Sequence, residues 1–423
     1  MNKTFFIGIL SACVAHAVQP SIEDGSITFR QDSGRNVTIT YRLEGTSAIV
    51  TADILTNGVS MGEATFSDIS GAVNRLVHEG LNTITWDARK AWPDNIATNV
   101  TVKLTAWQTN SPPDYCVVDL SSPYDVRYYV STNALPDGGL ANRTTYCRDK
   151  LVLRKIPAAG AMFRMGMERD TRGGKQVPHM VQMTSDYYFS IYTVTVGQYN
   201  KIAGTTLSGN GLSGNGKYGE PLENPIQNIA YADLRGSGYS WPQNGHDVAA
   251  DSVFGTLRAN TGLAFDLPTD AQWEYACRAG TTTRWWFGDS VSGLTGEQKM
   301  EYGWFGWVQP RDQFYGTGKN DWGYTHPVGL LKPNPWGLYD LYGNAWEACL
   351  DYFVNDSAAW NWMADDYRDP VTDPMGVASG TARVIRGGAY SNGPEDADSS
   401  MRHNGKVADT HGFRLVCPAC ATR

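Results

Sequence analysis

The stretch Trp336-Gly337-Leu338-Tyr339-Asp340-Leu341-Tyr342-Gly343-Asn344-Ala345-Trp346-Glu347 sets four aromatic side chains and two glycines within twelve residues. Such a run reads as loop held in place by buried rings rather than by a regular ladder, with Gly343 free to turn neighbouring carbonyls inward. The same grammar extends outward from about residue 158: Gly and Trp are dense and the expected strands are short. Two segments there read as helices. One opens at Thr269, where Gln272 three residues on completes a capping box after Pro268, and Trp273, Ala276 and Cys277 share a face. The other runs from Val196 to Ile202 after Thr195. Loop-heavy domains of this kind carry their binding groups in the loops.

Upstream the pattern differs. Ser26–Arg30, Val37–Tyr41 and Val100–Leu104 alternate apolar and polar residues with period two, and Ala48–Leu55 and Leu81–Trp86 add further β-rich runs. Turn signals at Asp32-Ser33-Gly34, Glu44-Gly45 and Asn57-Gly58 separate them. The expected organisation is α+β: an immunoglobulin- or fibronectin-like β-sandwich over residues 18–110, a linker with one connecting strand (Val126–Val130) over 111–157, and a loop-rich domain over 158–423.

Residues 1–17 read as an export signal: Met1-Asn2-Lys3 is basic, Thr4–Val14 is apolar, and Ala15-His16-Ala17 fits a small-x-small cleavage site. Leu10-Ser11-Ala12-Cys13 offers a second cut, after which Cys13 would carry a lipid anchor. Both readings expect export to the periplasm, cell surface or medium. The chain has 35 basic and 43 acidic residues, a formal net charge of −8, and no Lys/Arg cluster, which argues against a nucleic-acid partner. Beyond residue 17 no apolar run approaches the length of a membrane span. Six cysteines remain after Cys13, an even number that permits disulfides in an oxidising compartment. Cys116 with Cys147, and Cys417 with Cys420, are the expected staples.

From Phe163 onward a series of short motifs follows in order: Phe163-Arg164-Met165-Gly166, Asn224-Pro225-Ile226-Gln227-Asn228, Asp266-Leu267-Pro268-Thr269-Asp270-Ala271-Gln272-Trp273-Glu274-Tyr275, His326-Pro327-Val328-Gly329, the opening stretch, Arg383-Val384-Ile385-Arg386-Gly387-Gly388-Ala389-Tyr390 and Gly412-Phe413-Arg414. Together they resemble the sulfatase-modifying-factor family, which includes the formylglycine-generating enzymes, over about residues 158–416. The resemblance implies a variant of the C-type lectin fold. It also implies a copper-dependent oxidation of a substrate cysteine, and here the sequence departs from the family. The Gly-Gly-Ser-Tyr motif reads Gly387-Gly388-Ala389-Tyr390, the first copper-cysteine position is Asn392, and no cysteine lies between Leu350 and Val416. Copper(I) needs soft thiolates, so no copper and no cysteine oxidation are expected. An alternative is non-haem iron chemistry through His403 and His411 with a nearby carboxylate.

The resemblance further implies a structural calcium held by the carboxylates of Asp340 and Glu347 and the carbonyls of Gly343 and Ala345, hard oxygen donors of the type calcium takes. The loop Ser391–Thr410 is rich in small polar and acidic residues. On the family's fold it would lie beside Trp346, giving a ligand-binding face of Trp346, Asn392, Glu395, Asp398, Arg402 and His403. Rings beside hydrogen-bonding groups suit a carbohydrate or peptide ligand.

Overall fold

The computed structural model describes residues 19–62, 68–94, 99–167, 178–207, 221–306, 325–354, 370–405 and 411–421. The signal segment and Cys13 lie outside them. Sheet dominates, with few helices, so the α+β expectation stands.

Two antiparallel sheets form the N-terminal part. One is built on Asn36–Glu44 paired with Gly80–Asp87; the other on Ala48–Thr56 paired with Val100–Trp107. Along Asn36–Glu44 the side chains of Val37, Ile39, Tyr41 and Leu43 are buried while Thr38 and Arg42 face solvent, as period-two alternation dictates. Their inner faces meet Val50, Ile54, Ile84 and Trp86 in one core. Asn57-Gly58 turns the chain into a two-residue hairpin, both residues at positive φ (51° and 79°), which is why an Asn-Gly pair stands there.

The stretch expected as a linker is part of the folded C-terminal unit. Tyr115–Asp119, Asp125–Tyr129 and Lys150–Ile156 join Tyr187–Ser190 and Val416–Pro418 in one five-stranded sheet. This sheet is buried on both faces. Val117, Val152 and Phe189 enter one core, whereas Cys116, Leu151, Leu153 and Tyr188 enter another. Cys116 and Cys147 therefore belong to separate cores and do not form the expected staple, and no disulfide joins any described cysteine pair, Cys417 and Cys420 included. The N-terminal sheets are docked onto the sheet's edge: the Tyr128 amide donates to the Asn74 carbonyl at 2.7 Å, Arg75 pairs with Asp125 at 2.6 Å, and Ile49 reaches the second core.

Both expected helices are present, as Val196–Ala203 and Asp270–Arg278; the capping box expected at Thr269 and Gln272 is formed, and Thr195 and Gln198 form a second one. A third, Val253–Thr261, is capped by Ser252 and stopped by Gly262. Behind Asp270–Arg278 lies a four-stranded sheet ordered Arg402–Gly405, Arg383–Arg386, Trp346–Tyr352, His411–Phe413.

Candidate functional site

The strand Trp346–Tyr352 organises the site. Its residues alternate between a charged interior, reached by Glu347 and Asp351, and an opposite face that meets exposed residues only at its Trp346 end, Leu350 being fully buried. On the interior, Glu347 is fully engaged: Oε1 accepts from Thr193 Oγ1 at 2.8 Å and Arg414 Nε at 2.7 Å, and Oε2 accepts from Trp273 Nε1 at 2.6 Å. Arg386, cross-strand from Glu347, is wholly buried and pairs with Asp270 and with Glu274 (3.1 Å). Glu274 also holds Arg278 at 2.8 Å, and Arg402 binds Asp270 at 2.6 Å. Asp351 closes the group by accepting the Asp270 backbone amide at 2.7 Å. Burial, helped by the neighbouring Asp270 carboxylate, pushes the Asp351 carboxyl up to about 7. A cavity of about 20 Å³, room for about one water, touches Asp351, Asp270, His179 and Arg402. Sequence reasoning did not single out this network, although Asp270 and Glu274 at i and i+4 on one helix carried its signal.

The open face carries Trp346, whose ring centroid lies 5.6 Å from that of the exposed His403, over a small cluster of Ile385, Ala389 and Met401. Of the six residues expected to bind ligand, Trp346 and His403 are thus neighbours, but Trp346 is only 8% exposed. Asn392 shapes the loop: its Oδ1 accepts the Ala389 amide, its amide donates to the Ala389 carbonyl, and its carbonyl accepts the Gly306 amide, each at 2.9 Å. Gly306 is needed there, since a Cβ would stand 2.7 Å from the Tyr390 carbonyl oxygen. Glu395 is half-buried, and its carbonyl accepts from Arg284. Asp398 and Arg402 depart from expectation. Asp398 is buried against Arg284 at 2.9 Å, and Arg402 turns inward to Asp270, so both serve as internal ion pairs rather than ligand groups.

Of the expected calcium ligands, Asp340 fits a cation. It is buried at φ +55°, Oδ2 accepts the Gly329 amide at 2.6 Å, and Oδ1 has no hydrogen-bond partner. Burial raises its carboxyl to about 6. Glu347 fits less well, because Arg414 already balances its charge. Gly343 sits at φ +77° against the Trp304 backbone, where a Cβ would come within 2.0 Å of the Trp304 carbonyl oxygen. Next to it, Asn344 pins the His326 backbone through both amide atoms (2.8 and 3.1 Å), and the His326 ring stacks on Trp304 at 3.8 Å. Burial lowers His326 to about 4, which keeps the imidazole neutral. Among the described residues no group of three His, Cys, Asp or Glu is arranged to hold a metal, so His403 and His411 are not assembled into an iron-type facial set.

This architecture has relatives. A family model described as the sulfatase-modifying factor enzyme 1-like domain matches residues 152–419. The chain belongs to this family. The sulfatase-modifying-factor match includes Lys150–Ile156 from residue 152 on, in keeping with that strand's place in the central sheet. The chain is 24% identical over 270 residues to the formylglycine-generating enzyme of Bos taurus (56% of this chain, 66% of that one). It is 41% identical over 160 residues to that of Mycobacterium tuberculosis (36% and 50%). A 257-residue match at 26% identity to the serine/threonine-protein kinase pkn1 of Chlamydia caviae covers 59% of this chain and 36% of the kinase. The matches thus span less than two thirds of the length of these relatives. Among solved structures, Treponema denticola variable protein 1 aligns with a TM-score of 0.45 at 21% identity, covering 64% of this chain and 95% of that one. In this chain the Asn392 side-chain oxygen is already committed to the Ala389 amide.

Proposed function

We propose that this protein is a non-oxidising sulfatase-modifying-factor domain that binds a peptide on its open face. The observation that carries the proposal is the loop at Ala389–Asn392, where a carboxamide closes a local turn at the position where the resemblance puts a thiolate. A peptide suits the face better than a sugar does. The Trp346 ring is nearly covered and offers little flat area for stacking, whereas His403 beside it is exposed, and Ser391 and Asp396 are exposed in the loop that follows Ala389. The relatives named formylglycine-generating enzymes support a scaffold of this kind. Screening the full chain against peptide and glycan arrays tests the reading. Saturable peptide binding weakened roughly tenfold by His403→Ala is the expected result. Binding to glycans alone, or peptide binding indifferent to His403→Ala, would contradict it.

The proposal includes a structural calcium at the Asp340 loop, held by Asp340 Oδ1 with the Gly343 and Ala345 carbonyls and with Glu347 sharing its charge with Arg414. The ion would offset the burial of Asp340 and fix the loop that supports Asn344 and His326. Chelation is expected to lower the melting temperature of the wild type and to leave Asp340→Asn unmoved. It also includes export, on the strength of the basic, apolar and small-residue segments in 1–17, with the N-terminal sheets forming a sandwich that holds the family domain away from its anchor or partner. N-terminal sequencing of the mature protein should begin at Val18, or return a lipid-blocked Cys13.

A further inference from the structure

A large unassigned space lies between the two N-terminal sheets, outside the family domain. It measures about 730 Å³, within the range of roughly 300–1,000 Å³ usual for small-molecule sites. Phe29, Val37 and Trp86 wall it from one sheet, and Ile54, Val100 and Val102 from the other. Sheets packed face to face normally close to about 10 Å over interdigitating side chains. At this end of the two sheets the space is bordered by a short built segment that includes Ala88 and Trp92. Gly80–Asp87 runs into the short helix Ala88–Ala91, capped by the Asp87 carboxylate, and the helix ends at Trp92, whose amide donates to the Ala88 carbonyl. The Arg35 guanidinium then donates to the Trp92 carbonyl at 3.2 Å and fastens that residue to the mouth. Arg35 itself sits at φ +66°, a conformation costly for a side chain of its size.

The lining chemistry selects a class of ligand. Three aromatic rings (Phe29, Trp86 and Trp92) and the Met61 thioether face the space, and Phe29 is 49% exposed, unusual for a phenylalanine beside a core. Among the described residues that line it, the polar groups are Gln31, Arg35 and Asp94, with one positive and one negative charge. We infer that the N-terminal sheets bind an uncharged, largely apolar small molecule with planar rings, its one polar end turned toward Gln31, Arg35 and Asp94. Stacking on the rings and removal of apolar surface from water supply the affinity.

Titrating the full chain with N-phenyl-1-naphthylamine, an uncharged dye that brightens in apolar surroundings, tests this. The expected result is a saturable signal at one dye per chain. Ala88→Phe and Val102→Phe, which fill the space from opposite sheets, should each weaken it by roughly tenfold or more while circular dichroism stays native. His403→Ala, on the family domain, should bind dye as the wild type does, so this site fails or stands independently of the peptide-binding reading. No saturable signal, or an unchanged one in whichever filling variant folds, would overturn the inference.

Discussion

The N-terminal sheets and the C-terminal domain solve the burial of a polypeptide backbone in opposite ways. Among the described residues, tyrosines aside, Thr51 is the one buried polar or charged side chain before Ser190. The N-terminal core needs no more, because strands satisfy one another's amides and carbonyls. Beyond residue 190, among the described residues, Arg235, Arg386 and Arg414 are fully buried, and each acts as a clamp on backbone carbonyls. Arg414 donates to the Ser190, Ile191 and Tyr339 carbonyls and pairs with Glu347. Arg235 donates to those of Tyr239, Gly245 and Asp247 and pairs with Asp266. Arg386 reaches Ser399 and Met401. Buried loop carbonyls have no ladder to bond to and cannot be left unpaired cheaply. The forked guanidinium supplies several donors at once, and a carboxylate balances its charge. A loop-rich fold is thus held by buried ion pairs where a ladder fold is held by its own backbone.

Arg414→Leu gives the sharpest test of this contrast. It orphans Glu347 and three carbonyls and should cost about 3–5 kcal/mol in denaturant unfolding. A loss below about 1 kcal/mol would break the comparison. In the N-terminal core, Ile39→Ala should cost about 3 kcal/mol through lost burial and a cavity, with no dependence on pH. The Asp351 prediction is smaller and pH-dependent. Burial and the adjacent Asp270 raise its carboxyl above the unfolded value, so the folded state binds the proton more tightly. Its contribution to stability falls as pH rises from about 4 to about 7 and is constant above. Asp351→Asn should therefore gain on the order of 2 kcal/mol over wild type at pH 8 and nothing at pH 4, read from melts at both values. A gain equal at the two pH values would show that titration of this carboxyl is not its source.

The same contrast explains what could be read in advance. Alternation in Val37–Tyr41 and Val100–Leu104 foretold strands observed as Asn36–Glu44 and Val100–Trp107, because each has one wet face. Tyr115–Asp119 was missed as a strand. It is buried on both sides, so Tyr-Cys-Val-Val-Asp shows no alternation, and its stretch passed for a linker. Helix Val253–Thr261 was missed although Ser252 and Gly262 mark its ends; Gly255 weakens the pattern and is required because a Cβ would come within 2.1 Å of the Ala249 carbonyl oxygen. In the site, the expected neighbourhood of Trp346 and the 391–410 loop is met at His403, whose ring lies 5.6 Å from that of Trp346. Motif order could not tell that Asp398 faces inward, since its partner Arg284 lies 114 residues away in the chain. Local spacing carries no trace of such a pairing.

The function proposed above keeps the family scaffold without copper-thiolate chemistry. Copper(I) titration of the purified chain against a competing chelator, followed by incubation with oxygen and a cysteine-containing peptide, tests it most directly. The account predicts no stoichiometric copper(I) and no conversion of the peptide cysteine to an aldehyde. One tightly held copper(I) per chain with turnover of the peptide would contradict it.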